Sequence, residues 1–189
     1  MRTAGLVMML AAGLAAQQPR MQNAKVETRA GSEAAVRQAI AAQTSPGWIG
    51  WAAPVTRADR QMCCYSNWND VHDYGCWIET RMSSADTIRV APPEAVRLEG
   101  NTHFFVLLRV ENGVVQKVRT FSQDCPLDAG SLPVVWFTNM DPAASVSFLA
   151  SPVKPDGASE VRKMSQTAMN AIALHKHPAA ERALERWMK

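Results

Sequence analysis

The chain has 189 residues, 47% of them hydrophobic and 20% charged, which is long enough for one well-cored domain with a small appendage and unlike a disordered or collagen-type composition. Its formal net charge of +3 comes from 20 basic and 17 acidic residues interspersed along the sequence, so there is no basic stripe of the kind that binds nucleic acid. The four cysteines, Cys63, Cys64, Cys76 and Cys125, are an even number.

At the N-terminus Arg2 precedes an apolar, small-residue run from Ala4 to Ala16, after which Gln17, Gln18 and Pro19 turn polar. This order is that of a secretory signal peptide over residues 1–16, with cleavage after Ala15 or Ala16. The run is too short for a membrane span, which needs roughly 20 apolar residues, and no other stretch comes close. The expected location is therefore periplasmic or secreted, where thiols pair as disulfides. Residues 17–29 are polar and aperiodic and read as a flexible linker.

Ser32 then precedes a helix expected over residues 33–43, in which Val36, Ala39 and Ile40 follow helical spacing and Glu33 suits the first turn. Ser45-Pro46-Gly47 stops it, and residues 48–55, with Trp48 and Trp51, read as a strand entering a core. Between Cys64 and Cys76 the chain is polar, turn-prone and tipped with aromatics, so Trp68, Asp70, His72, Asp73 and Tyr74 form a candidate interaction loop. Short strands are expected after Cys76 and at residues 88–90.

The strongest local signal is Asn112-Gly113 between two alternating apolar runs, the pairing that favours a type I′ hairpin turn. A two-residue turn without irregularity would set Phe104 opposite Phe121, Val106 opposite Arg119 and Leu107 opposite Val118, with the first strand central and the more polar second strand nearer an edge. Asp124 to Gly130 reads as a tight acidic loop and residues 132–138 as another apolar strand. Asp141-Pro142 is a helix start, with Asp as N-cap and Pro at the first helical position.

Beyond a Pro- and Gly-containing linker, Val161, Met164, Ala168, Ala171, Ile172 and His175 fall at steps of three and four. Lys176-His177-Pro178 turns the chain, and Ala183, Leu184 and Trp187 form a second stripe, so the two segments make an antiparallel helical hairpin. Residues 164–186, and in particular Ala171 to His175 followed by Pro178-Ala179-Ala180 and Ala183-Leu184, resemble one helix pair of a HEAT-type repeat. The order of leader, Cys-Cys stretch, Asp124-Cys125 loop and helix pair resembles the front portion of exported bacterial HEAT-repeat proteins. That resemblance implies a helix pair and brings no activity with it. One pair falls short of the three or more repeats that bury a solenoid core, so it is expected either to cap the β domain or to leave its apolar stripe open.

These readings predict an α+β fold: a small antiparallel β-sheet domain with short helices over residues 30–152, disulfide-stapled, followed by a C-terminal HEAT-like α-hairpin over residues 156–189. Bonding Cys63 to Cys64 would close a strained ring, which leaves Cys63–Cys76 with Cys64–Cys125, or Cys64–Cys76 with Cys63–Cys125.

Chemistry is sparse. Cys63, Cys64, Cys76 and His72 lack the spacing of a zinc site, and Asp124 with Asp128 suits turn-capping better than calcium. His175 and His177 are two apart and read as inter-helix turn residues, not ligands, and no Gly-x-Ser-x-Gly elbow or Gly-rich phosphate loop occurs. No catalytic residue, metal or cofactor is expected. The function read from this pattern is an exported, non-enzymatic protein-binding or scaffolding module with another protein as partner. The alternative is an extracytoplasmic metal-binding protein or hydrolase using the loop between Cys64 and Cys76.

Overall fold

The computed structural model describes residues 18–56, 65–66, 73–74, 76–79, 102–151 and 159–188. In chain order the elements are β1 (Arg20–Gln22), β2 (Lys25–Ala30), α1 (Glu33–Ala42), β3 (Gly47–Pro54), β4 (Tyr65–Ser66), β5 (Asp73–Tyr74), β6 (Cys76–Trp77), β7 (His103–Glu111), β8 (Val114–Ser122), β9 (Pro126–Asp128), β10 (Pro133–Thr138), α2 (Pro142–Ala150), α3 (Ser159–Leu174) and α4 (Pro178–Trp187). Residues 1–16, expected to be a signal peptide, and the strand expected at residues 88–90 lie outside the described residues.

The α+β class is observed, but the main sheet is mixed and not antiparallel throughout. Its five strands run β2-β10-β3-β7-β8. β10 is parallel to both β2 and β3, whereas β3, β7 and β8 are joined antiparallel. α1 therefore connects two parallel strands, and β10, arriving much later in the chain, fills the place between them. A crossover through a helix is the connection that parallel strands require, and nothing local to residues 133–138 announces the direction in which that strand will enter.

The flexible linker expected over residues 17–29 is also corrected. Arg20–Gln22 pairs with β9, and Lys25–Ala30 pairs with β10 along its whole length. The second of these strands is solvent-exposed at every residue and alternates Lys25, Glu27 and Arg29 with smaller side chains. Charged, exposed sequence is what an edge strand uses to discourage further pairing, so its lack of an apolar face concealed it.

β3 and β7 are buried almost without interruption because both faces of the sheet are covered. On one face Ile49, Trp51, Phe104, Val106, Leu108 and Phe137 meet the helices. On the other, Trp48, Phe105, Leu107 and Trp136 meet Leu127 of a small three-stranded layer, β1-β9-β6, together with Ile78 just after β6 and Cys125 just before β9. Gly50 sits where large side chains converge: a Cβ there would lie 2.6 Å from Leu107 Cδ2 and 2.9 Å from Trp136 Cζ3.

The β7–β8 turn forms as its dipeptide predicts, with φ of 51° at Asn112 and 72° at Gly113. β7 is interior and β8 lies at the edge. The register, however, shifts at Arg109/Val110. Val110 and Glu111 still face Val115 and Val114, but beyond the irregularity Phe105 faces Phe121, Leu107 faces Arg119 and Leu108 faces Val118. The expected pairs Phe104–Phe121, Val106–Arg119 and Leu107–Val118 are thus each displaced by one. A one-residue slip moves side chains to the opposite face. Here it carries Val118 to the helix side and Phe121 to the aromatic side.

Local caps set the helices. Ser32 Oγ accepts from Ala35 N at 3.1 Å, Asp141 Oδ1 accepts from Ala144 N at 2.8 Å, and His177 Nδ1 accepts from Ala179 N at 3.2 Å. The C-terminal helix pair docks on the sheet: Ala171, Ile172, Leu174, Ala180 and Ala183 are buried in the same core as β3 and β7, with Leu184 and Trp187 packed partly against it. α3 and α4, within the separate hairpin expected over residues 156–189, therefore share one core with the sheet.

Candidate functional site

Trp68, Asp70 and His72 of the expected interaction loop lie outside the described residues, as do Cys63 and Cys64. The backbones at the ends of that loop are described: Tyr65 pairs with Tyr74 and Ser66 with Asp73, so the loop is closed at its base by two antiparallel strands. Immediately afterwards the backbone of Cys76 pairs in parallel with Leu127. Cys125, two residues before Leu127, is fully buried and disulfide-bonded. Asp128 caps turns as its position suggested, accepting from Gly130 N at 2.7 Å through Oδ1 and from Asn23 Nδ2 at 2.6 Å through Oδ2.

A polar chain that sequence reasoning did not assemble runs through the helix-side core. Trp51 Nε1 donates to Ser145 Oγ at 2.7 Å, Ser145 Oγ lies 2.7 Å from His175 Nε2, and His175 Nδ1 lies 2.8 Å from the carbonyl oxygen of Ala171. A carbonyl only accepts, so the proton is on Nδ1. Nε2 then accepts from the Ser145 hydroxyl, whose oxygen accepts from the indole. Every donor in the chain has an acceptor. Burial, the largest cause, pushes the His175 imidazole down to about 4; the Ala171 carbonyl opposes this and nearby His177 adds to it. Phe104 stands edge-on to the ring, 5.0 Å between centroids.

This arrangement has the atoms of a serine–histidine pair, but Ser145 is 0% and His175 2% exposed, so no substrate reaches the hydroxyl. A nucleophile needs its base beside it and its attack path open; here the path is closed by core. The chain fastens three elements instead, because Trp51 belongs to β3, Ser145 to α2 and His175 to the end of α3. Backbone bonds reinforce the junction, with Lys176 N donating to Pro54 O at 2.8 Å and Thr56 N to Leu174 O at 2.9 Å. The one sequence signal was the presence of His175 on the apolar stripe of its helix, where a polar side chain calls for a partner.

The open concavity is apolar. A groove of about 430 Å³ lies between α1, the tip and strands of the β7–β8 hairpin, the end of α2 and Met164 of α3. Ile40, Leu108, Val118, Phe148 and Leu149 supply its walls, and Val114, 56% exposed, stands on its rim. Gly113 N donates to Gln43 O at 2.8 Å, which ties the hairpin tip to the end of α1 and holds that side of the groove. Arg37 is the one charged side chain among the described lining residues, and its guanidinium lies 5.2 Å from the Phe148 ring centroid.

Among the described residues no group of three or more His, Cys, Asp or Glu side chains is placed to hold a metal, and no helix is long and apolar enough to cross a membrane. Comparison with protein-family models, with characterised proteins and with solved structures yields no match. The HEAT-type likeness of residues 164–186 therefore rests on those residues alone.

Proposed function

We propose that this chain is an exported, non-enzymatic binding module that engages another protein through the groove between α1, the β7–β8 hairpin and α2. The observation that carries this reading is the groove's composition: an apolar concavity with, among the described residues, a single cation at its margin and a large exposed valine on its rim. Concavities of this size, about 300–1,000 Å³, lined by apolar groups with a few polar ones, are where ligands and partner side chains bind. The serine and histidine that could have supported chemistry are consumed by fastening the fold. Export is supported by the leader-like residues 1–16 and agrees with a disulfide at Cys125.

A photo-crosslinking residue placed at position 114, with position 26 on the sheet edge as the comparison, tests the reading in the exported protein. We expect a discrete, saturable adduct with another protein from position 114, absent from position 26 and lost when Met164→Glu is added to a chain that retains its circular dichroism. Equal adducts from both positions, or none from position 114, would overturn it.

A further inference from the structure

The chemistry of the partner can be read from Arg37. Glu33, one turn earlier on α1, takes the side of the guanidinium: Nε and Nη2 both donate to Glu33 Oε1, at 3.1 and 2.7 Å. The other edge, Nη1 with the second hydrogen of Nη2, has no partner among the described residues. Arg37 is held in this pose from two directions, by Glu33 and by the Phe148 ring beneath it, and Phe148 is itself a wall of the groove. A guanidinium presents two donor edges to carboxylates in a rigid fork, and here one is used while the other stays free beside an apolar concavity.

The geometry points to a partner segment that carries an acidic side chain next to apolar ones, the apolar groups seated on Ile40, Leu108, Val118 and Phe148 and the carboxylate received by the free edge of Arg37. This rests on the groove being the binding surface. The apolar contacts provide most of the affinity and the carboxylate selects the partner, because a half-exposed ion pair contributes modestly and mainly against wrong partners.

Selection of random peptides displayed on phage against the full-length exported protein tests this directly, run in parallel on wild type and Arg37→Gln. We expect wild type to enrich Leu, Ile, Phe or Met adjacent to Asp or Glu, and Arg37→Gln to keep the apolar enrichment while losing the acidic one. A synthetic copy of the enriched peptide should bind wild type about threefold more tightly than its Glu→Gln version, a ratio near one in Arg37→Gln. Apolar enrichment with no acidic preference, or the same acidic preference in both proteins, would overturn the carboxylate inference and leave the groove as a binding surface. No enrichment at all would overturn both. Binding of decanoate in place of any peptide, or concentration-dependent self-association blocked by Val114→Glu, would assign the groove to a lipid or a second copy and overturn the proposal.

Discussion

Ser145 and His175, thirty residues apart on α2 and at the end of α3, meet across 2.7 Å with neither exposed to solvent. A buried hydroxyl and a buried imidazole each cost free energy when unpaired. Together with Trp51 and the Ala171 carbonyl they satisfy one another completely, and this fixes the angle at which the C-terminal helices lie on the sheet.

Removing the centre of that chain should be costly. Ser145→Ala leaves the Trp51 indole N–H and His175 Nε2 buried without partners, and each orphaned group costs about 1–3 kcal/mol. We expect a loss of roughly 3 kcal/mol in urea unfolding. A loss below about 0.5 kcal/mol would show that the chain does not brace the fold.

Acid should weaken the same junction. The folded-state pKa of His175, about 4, lies below the ordinary imidazole value of 6.5. Between those values the unfolded chain binds a proton that the native protein refuses, so this contribution to stability is complete above pH 6.5 and is lost as pH falls towards 4. By pH 4.5 the loss is about 2 kcal/mol. Wild type should therefore lose that much more than His175→Gln between pH 7 and pH 4.5, and the His175 ring should titrate by NMR with a midpoint near 4. A midpoint near 6.5 would contradict the sealed environment.

Gly50 is predicted to resist even the smallest enlargement. A Cβ at this position meets Leu107 Cδ2, Trp136 Cζ3 and the Val106 carbonyl oxygen, all within 2.9 Å. Gly50→Ala should cost about 1–3 kcal/mol through overpacking in thermal or urea unfolding. An unchanged midpoint would mean that the sheet separates to make room.

The pairing of β4 with β5 bears on the disulfides. Tyr65 opposes Tyr74, so the loop between them is closed at its base, and a local bridge to Cys76 is common to both connectivities the sequence allows. We expect Cys76 bonded to one of Cys63 and Cys64, and Cys125 to the other. In Cys64→Ala, alkylation after denaturation should label Cys125 if Cys63 is the partner of Cys76, and Cys76 if Cys64 is. Labelling of Cys63 would overturn both connectivities.

What the sequence determined by itself is what a few neighbouring residues control. Ser32 and Asp141 capped their helices, Asn112-Gly113 turned the hairpin, and the stripe from Ala168 to His175 marked the buried side of α3. Each depends on hydrogen bonds or periodicity within a few positions. Only the tertiary structure decided the rest, because its causes are distant in the chain. The charged run Lys25–Ala30 became a strand only when β10 offered it an edge, and β10 became parallel only by entering between β2 and β3. The shift at Arg109/Val110 was settled by which faces Val118 and Phe121 could bury. His175 stood visibly on an apolar stripe, but its partner lay on another helix and its third member on a strand, and the groove beside Arg37 has no sequence signature because three separate elements enclose it.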